Sequence, residues 1–144
     1  MAWQSYELDR IAQKLVLAAR ERDPKSLNQS HDMRMAVAYG LERFWGQHLR
    51  LKGKKIEDEN KSKFWKATWD ELVVVMRKAG VTIPNDPIEP DIKGKLPTQP
   101  IQAMSEKLWK LSPEDQRVSV AVLTQLCDCL VWWTQRYKVR ESKQ

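Results

Sequence analysis

Arg43, Gln47, Arg50 and Lys54 recur every three or four residues, which sets three cations along one side of a helix. Lys52, Lys54 and Lys55 then surround Gly53, and Lys61, Lys63 and Lys66 follow. A second group is formed by Arg136, Lys138, Arg140 and Lys143. The chemistry open to such groups is pairing with a polyanion, since Lys and Arg on phosphate oxygens give affinity without reading bases. Part of the placement has a plainer cause: cations near helix C-termini complement the helix dipole.

Other chemistry has little to work with. There is no Gly-rich phosphate loop, no G-x-S-x-G and no H-E-x-x-H. His31 and His48 are the only histidines, and neither stands at ligand spacing from Cys127 or Cys129. The two cysteines are two apart on a predicted helix and point to different sides, so they cannot bridge each other. They read as buried structural thiols in a reducing, cytosolic setting. Glu57, Asp58 and Glu59 are consecutive on a solvated segment and do not make an acid/base pair. Asp128 reads as part of a narrow polar strip with Thr124 and Gln135. The expectation is a protein without catalytic residues, metal or cofactor.

Net charge is +6, and 42% hydrophobic with 31% charged residues describes a folded globular chain, not a disordered one. The positive excess favours polyanionic partners. The N-terminal MAWQSYELDR has neither the basic nor the apolar region of a signal peptide. The longest mainly apolar run, near Val118–Trp133, is too short and too polar for a membrane span. Seven tryptophans fill a core or offer stacking faces; Trp3, Trp65, Trp109 and Trp132 are the candidates for stacking on unpaired bases. Trp132 and Trp133 cannot both face one core, which puts one of them near a surface.

The elements that must carry these residues are helical. Helix one is expected from about Ser5 to Arg22, ended by Pro24. Helix two begins near Ser30, or at an Asn28 cap, and continues past Gly40 to Leu51, with Gly53 as its stop. Gly40 in mid-helix weakens propensity and suggests close approach by another helix. KGKKIEDENKSK reads as a loop or as the frayed start of helix three, which is periodic from about Asn60 to Ala79. Val81 to Pro100 holds Pro84, Pro87, Pro90, Pro97 and Pro100, which exclude helix and central strand. Ile83, Ile88 and Ile92 suggest an extended strap over the bundle. Helix four covers about Pro100 to Leu111.

Helix five, Ser112 to about Val139, has the strongest start signal: Ser112 as N-cap, Pro113 at the first position, then Glu114 and Asp115. It is apolar nearly all round and is expected to be the enclosed central helix. The result is an all-α bundle of about five helices, with a long proline-rich strap between helices three and four. It forms one domain over residues 1–144, or two lobes, 1–80 and 98–144, joined by 81–97. A helix-turn-helix reading of helices four and five is disfavoured, because Val118–Leu130 is too apolar for a major groove.

A basic, all-helical chain of 144 residues with no catalytic motif and a long apolar C-terminal helix ending VWWTQRYKVR resembles the small helical subunit of CRISPR RNA-guided effector complexes. The resemblance covers the whole chain in architecture and no diagnostic motif. It implies an antiviral ribonucleoprotein in the cytoplasm in which several copies stack against other effector subunits. Their basic faces would hold the backbone of a guide RNA–target duplex or of the displaced strand, while base pairing supplies sequence choice. The bundles of that family have short loops, unlike Val81–Pro100 here. The rival reading is a helical protein-interaction module without nucleic acid, docking through exposed Trp and the strap.

Overall fold

A computed structural model describes residues 7–53 and 55–138. Among the described residues there are six α-helices and no strand. They are α1 (Leu8–Arg22), α2 (Gln29–Ala36), α3 (Leu41–Leu51), α4 (Ile56–Lys78), α5 (Thr98–Trp109) and α6 (Pro113–Tyr137). Two short 3-10 turns, Pro24–Asn28 and Val37–Tyr39, flank α2.

The sixth helix arises because the expected second helix is two. Gly40 has φ 95° and ψ 174°, a conformation essentially confined to glycine, and it separates the Val37–Tyr39 turn from α3. Nothing lies within 4 Å of where a Cβ would stand on Gly40. The glycine therefore serves the backbone bend and not the close approach expected of it. Two other boundaries move. α4 starts at Ile56, so the acidic run Glu57-Asp58-Glu59 occupies its first turn, where it complements the helix dipole. Pro100 lies inside the first turn of α5, a position that tolerates proline because its N–H would have no intrahelical partner.

One hydrophobic core joins all six helices. α4 is its most enclosed member, burying Phe64, Trp65, Trp69, Leu72, Val73, Val75 and Met76. α6 buries Val122, Leu123, Leu126, Cys127 and Leu130, whereas Val118, Ala121, Gln125, Asp128 and Trp132 face solvent. The expectation of an enclosed C-terminal helix thus gives way to one with an open stripe, because its packing, chiefly against α1 and α2 with smaller contributions from α3 and α4, leaves that side uncovered among the described residues. Its start is as expected: the Ser112 hydroxyl accepts the Asp115 N–H at 3.0 Å. No described helix is long and apolar enough to cross a membrane.

Buried polar contacts fix how the helices sit. Ser30 and Thr134 share a hydroxyl hydrogen bond between α2 and α6. Ser62 donates to the His48 carbonyl at 2.7 Å between α4 and α3, and Ser105 donates to Glu42 at 2.8 Å between α5 and α3. Residues 81–97 have neither helix nor strand. Val81, Ile83 and Ile88 of that segment are buried, but Ile92 is fully exposed and anchors nothing. Asp91 instead closes a local turn by accepting the N–H groups of Lys93 and Lys95.

Candidate nucleic-acid interface

The expected basic surface is built on the α3–α4 hairpin. α3 buries Leu41, Phe44, Trp45, His48 and Leu49, so its helical period leaves Arg43 and Arg50 on the outside. Lys52 closes the helix in extended conformation and Gly53, at φ 83°, turns the chain. Lys55 is the residue that caps α4, and its side chain makes no capping hydrogen bond. The opposite wall is fixed by Phe44, whose ring centroid lies 4.9 Å from that of Trp65 and 6.3 Å from that of Trp69.

The predicted cations divide into two kinds. Arg43, Arg50, Lys55 and Lys63 are exposed, Lys61 is half-buried, and none of the five forms an ion pair among the described residues. Arg50 holds only a neutral partner, the Gln47 carbonyl oxygen at 3.3 Å. Lys52 and Lys66 are half-buried and neutralised. Lys52 lies 3.9 Å from Glu59, which also accepts the Gly53 N–H at 2.8 Å. Lys66 is paired with Asp70 and donates to Asn85, and Asn85 itself donates to Asp70. Lys52, Lys63 and Lys66 line one groove of about 320 Å³, together with Glu59, Asp70 and Glu89. Lys54 lies outside the described residues.

His48 lines the same groove and is neutral at pH 7. Burial pushes its pKa down to about 4, against the opposing pull of the Trp45 carbonyl, which stands 2.6 Å from Nδ1. Both thiols, by contrast, keep their protons at neutral pH. Burial raises Cys127, and burial with the Asp9 carboxylate raises Cys129 to about 11. Among the described residues no three His, Cys, Asp or Glu side chains are grouped to hold a metal ion.

The second predicted group sits at the end of α6. Arg136 lies over three aromatic rings, 5.9 Å from Trp132, 5.2 Å from Trp133 and 5.7 Å from Tyr137. Lys138 is exposed just beyond the helix, and Arg140 lies outside the described residues. Trp133 is tied to α1 through its indole N–H, 3.2 Å from Asp9, while Trp132 is 57% exposed. The two groups are carried on different helices.

Of the stacking candidates, Trp65 is removed: it is 2% exposed and lies in the core. Trp109 and Trp132 are exposed, and Trp3 lies outside the described residues. Asp128, on its polar strip, is exposed and pairs with Arg34 at 2.6 Å. Sequence reasoning missed Tyr39, 69% exposed beside the Gly40 bend, with Arg43 5.6 Å above its ring. The only available signal was the glycine following it. No protein-family model, no curated protein and no solved structure matches the chain.

Proposed function

We propose that this chain is a non-catalytic small subunit of a CRISPR-type RNA-guided nucleoprotein complex in the cytoplasm. It grips the backbone of a guide–target duplex or of the displaced strand through the outer side of the α3–α4 hairpin. The observation that carries the reading is the set Arg43, Arg50, Lys55 and Lys63, exposed on one hairpin and unpaired among the described residues. Cations held by carboxylates have little left for phosphate, whereas these four can each displace a counterion from a polyanion. Lys61 stands beside them; Lys52 and Lys66 shape the groove wall. Arg136 and Lys138 supply a second contact. The 81–97 segment acts as a strap that fastens α4 to α5 through Ile83 and Ile88.

Charge reversal tests this. The triple variant Arg50→Glu, Lys55→Glu, Lys63→Glu should bind a random-sequence oligonucleotide about ten-fold or more weakly and with a flatter salt dependence. Unchanged binding removes the assignment. The competing reading, a protein-docking module, draws on fully exposed Ile92 and on Trp132. It expects Trp132→Ala and Ile92→Ser to weaken association with a partner chain where charge reversal does not.

A further inference from the structure

Two exposed aromatic side chains from distant parts of the chain line one groove. Tyr39, 69% exposed, stands in the turn before α3, and Trp109, 61% exposed, is the last residue of α5. The groove holds about 360 Å³, within the roughly 300–1,000 Å³ common for small-ligand sites. Its floor is Leu41 and Leu108, and Arg43, Glu42 and Gln116 are on its walls. The groove is a consequence of the fold's one unexpected break. Gly40 turns the backbone so that Tyr39 is thrown outward instead of continuing a helix, and Arg43 lies one turn into α3 with its guanidinium 5.6 Å over the Tyr39 ring.

Such exposure has a cost. Leaving a Trp and a Tyr in water forgoes the burial that each would contribute in a core, and neither is used to hold the helices together. What remains is a pair of flat π faces with a cation beside them and apolar atoms below. Those are the parts that a single unpaired nucleotide requires: rings for the base to stack on, and a guanidinium for its phosphate. Glu42 also lines the groove, and its Oε2 is held in place by the Ser105 hydroxyl at 2.8 Å. Gln116 is held as well, its side-chain amide donating to the Leu111 carbonyl at 2.8 Å. A groove whose polar groups are fixed beforehand loses less order on binding.

We propose that this groove accepts one unpaired base of a nucleic-acid strand, stacked on Tyr39 and Trp109, with Arg43 on the adjoining phosphate. The inference rests on the nucleic-acid reading above and deepens it: the hairpin holds backbone of any form, and this groove selects strand that is not base-paired. It is a preference for unpaired over paired nucleotides, not for a letter, because every base has a π face.

The test compares fluorescence anisotropy of labelled single-stranded and duplex oligonucleotides of equal length and mixed sequence, at one salt concentration. Tyr39→Ala with Trp109→Ala should weaken single-strand binding roughly 5- to 150-fold and leave duplex binding unchanged. Tyr39→Phe with Trp109→Phe should restore most of it, because the rings are kept. A single strand with abasic sites should bind the native protein as weakly as the normal strand binds the double-alanine variant. Equal single-strand affinity of native and double-alanine proteins, with binding still lost on reversal of Arg50, Lys55 and Lys63, overturns the groove and leaves the backbone reading standing. No binding of either oligonucleotide by the native protein overturns both. Loss of self-association in the double-alanine variant, with oligonucleotide binding intact, assigns the groove to a protein contact and overturns the proposal.

Discussion

The indole N–H of Trp65 donates to the side-chain carbonyl of Gln29 across 2.8 Å of buried interior, joining α4 to the start of α2. The neighbouring indoles of Trp45 and Trp69 are equally buried and have no acceptor among the described residues. Trp65 is thus the core tryptophan whose polar edge is satisfied, and Gln29 is buried in order to satisfy it. Gln29→Ala strands that N–H without water to replace the lost partner. The expected cost is about 1–3 kcal/mol, read as a lower urea midpoint with an unchanged denaturant slope. A midpoint equal to the native one would mean that water reaches the indole.

Two glycines in the same stretch should respond to alanine with opposite signs. Gly40 sits at φ 95°, where an L-residue is strained even though space for a methyl is open. Gly40→Ala should destabilise by about 1–3 kcal/mol. Gly46 is inside α3, and the nearest atom to an added Cβ is a Glu42 carboxylate oxygen at an ordinary 3.7 Å. Gly46→Ala should stabilise by about 0.5–1 kcal/mol through helix propensity and a less free unfolded chain. Thermal melts of the two variants check both signs, and equal shifts would argue against the break at Gly40.

Acid should loosen the hairpin through His48. Its folded pKa, about 4, lies below the ordinary 6.5, so between those values the unfolded chain binds a proton that the native protein does not. The contribution to stability is complete above pH 6.5 and is lost as the pH falls toward 4, amounting to about 3 kcal/mol. Urea unfolding at pH 7 and pH 4 should show a larger drop for the native protein than for His48→Gln. Parallel drops would mean that the imidazole is protonated in the folded state.

Local signals were legible and relational ones were not. The Ser112-Pro113 start of α6 and the glycine stop after α4 are chemistry of a few adjacent residues, and the helices begin and end where that chemistry operates. Gly40 was hidden because Met35, Ala36 and Val37 before it and Leu41 after it continue a helical pattern. No composition rule reports a φ angle. Trp65 stood on the stacking list, and only the packing of α3 and α2 against it assigns it to the core. Among the site residues, the Lys66–Asp70 pair stood at a spacing of four and could have been discounted from the sequence. The Lys52–Glu59 contact depends on the turn at Gly53 bringing α4 back against α3, and a pattern along the chain does not contain it.

The salt dependence of oligonucleotide binding bears most directly on the central claim that the outer α3–α4 hairpin holds a phosphate backbone. Affinity for a random-sequence single strand, measured from low to physiological salt, should fall with a log–log slope of roughly −3, as expected for four released counterions. A slope near zero, or no binding at any salt concentration, would contradict the account.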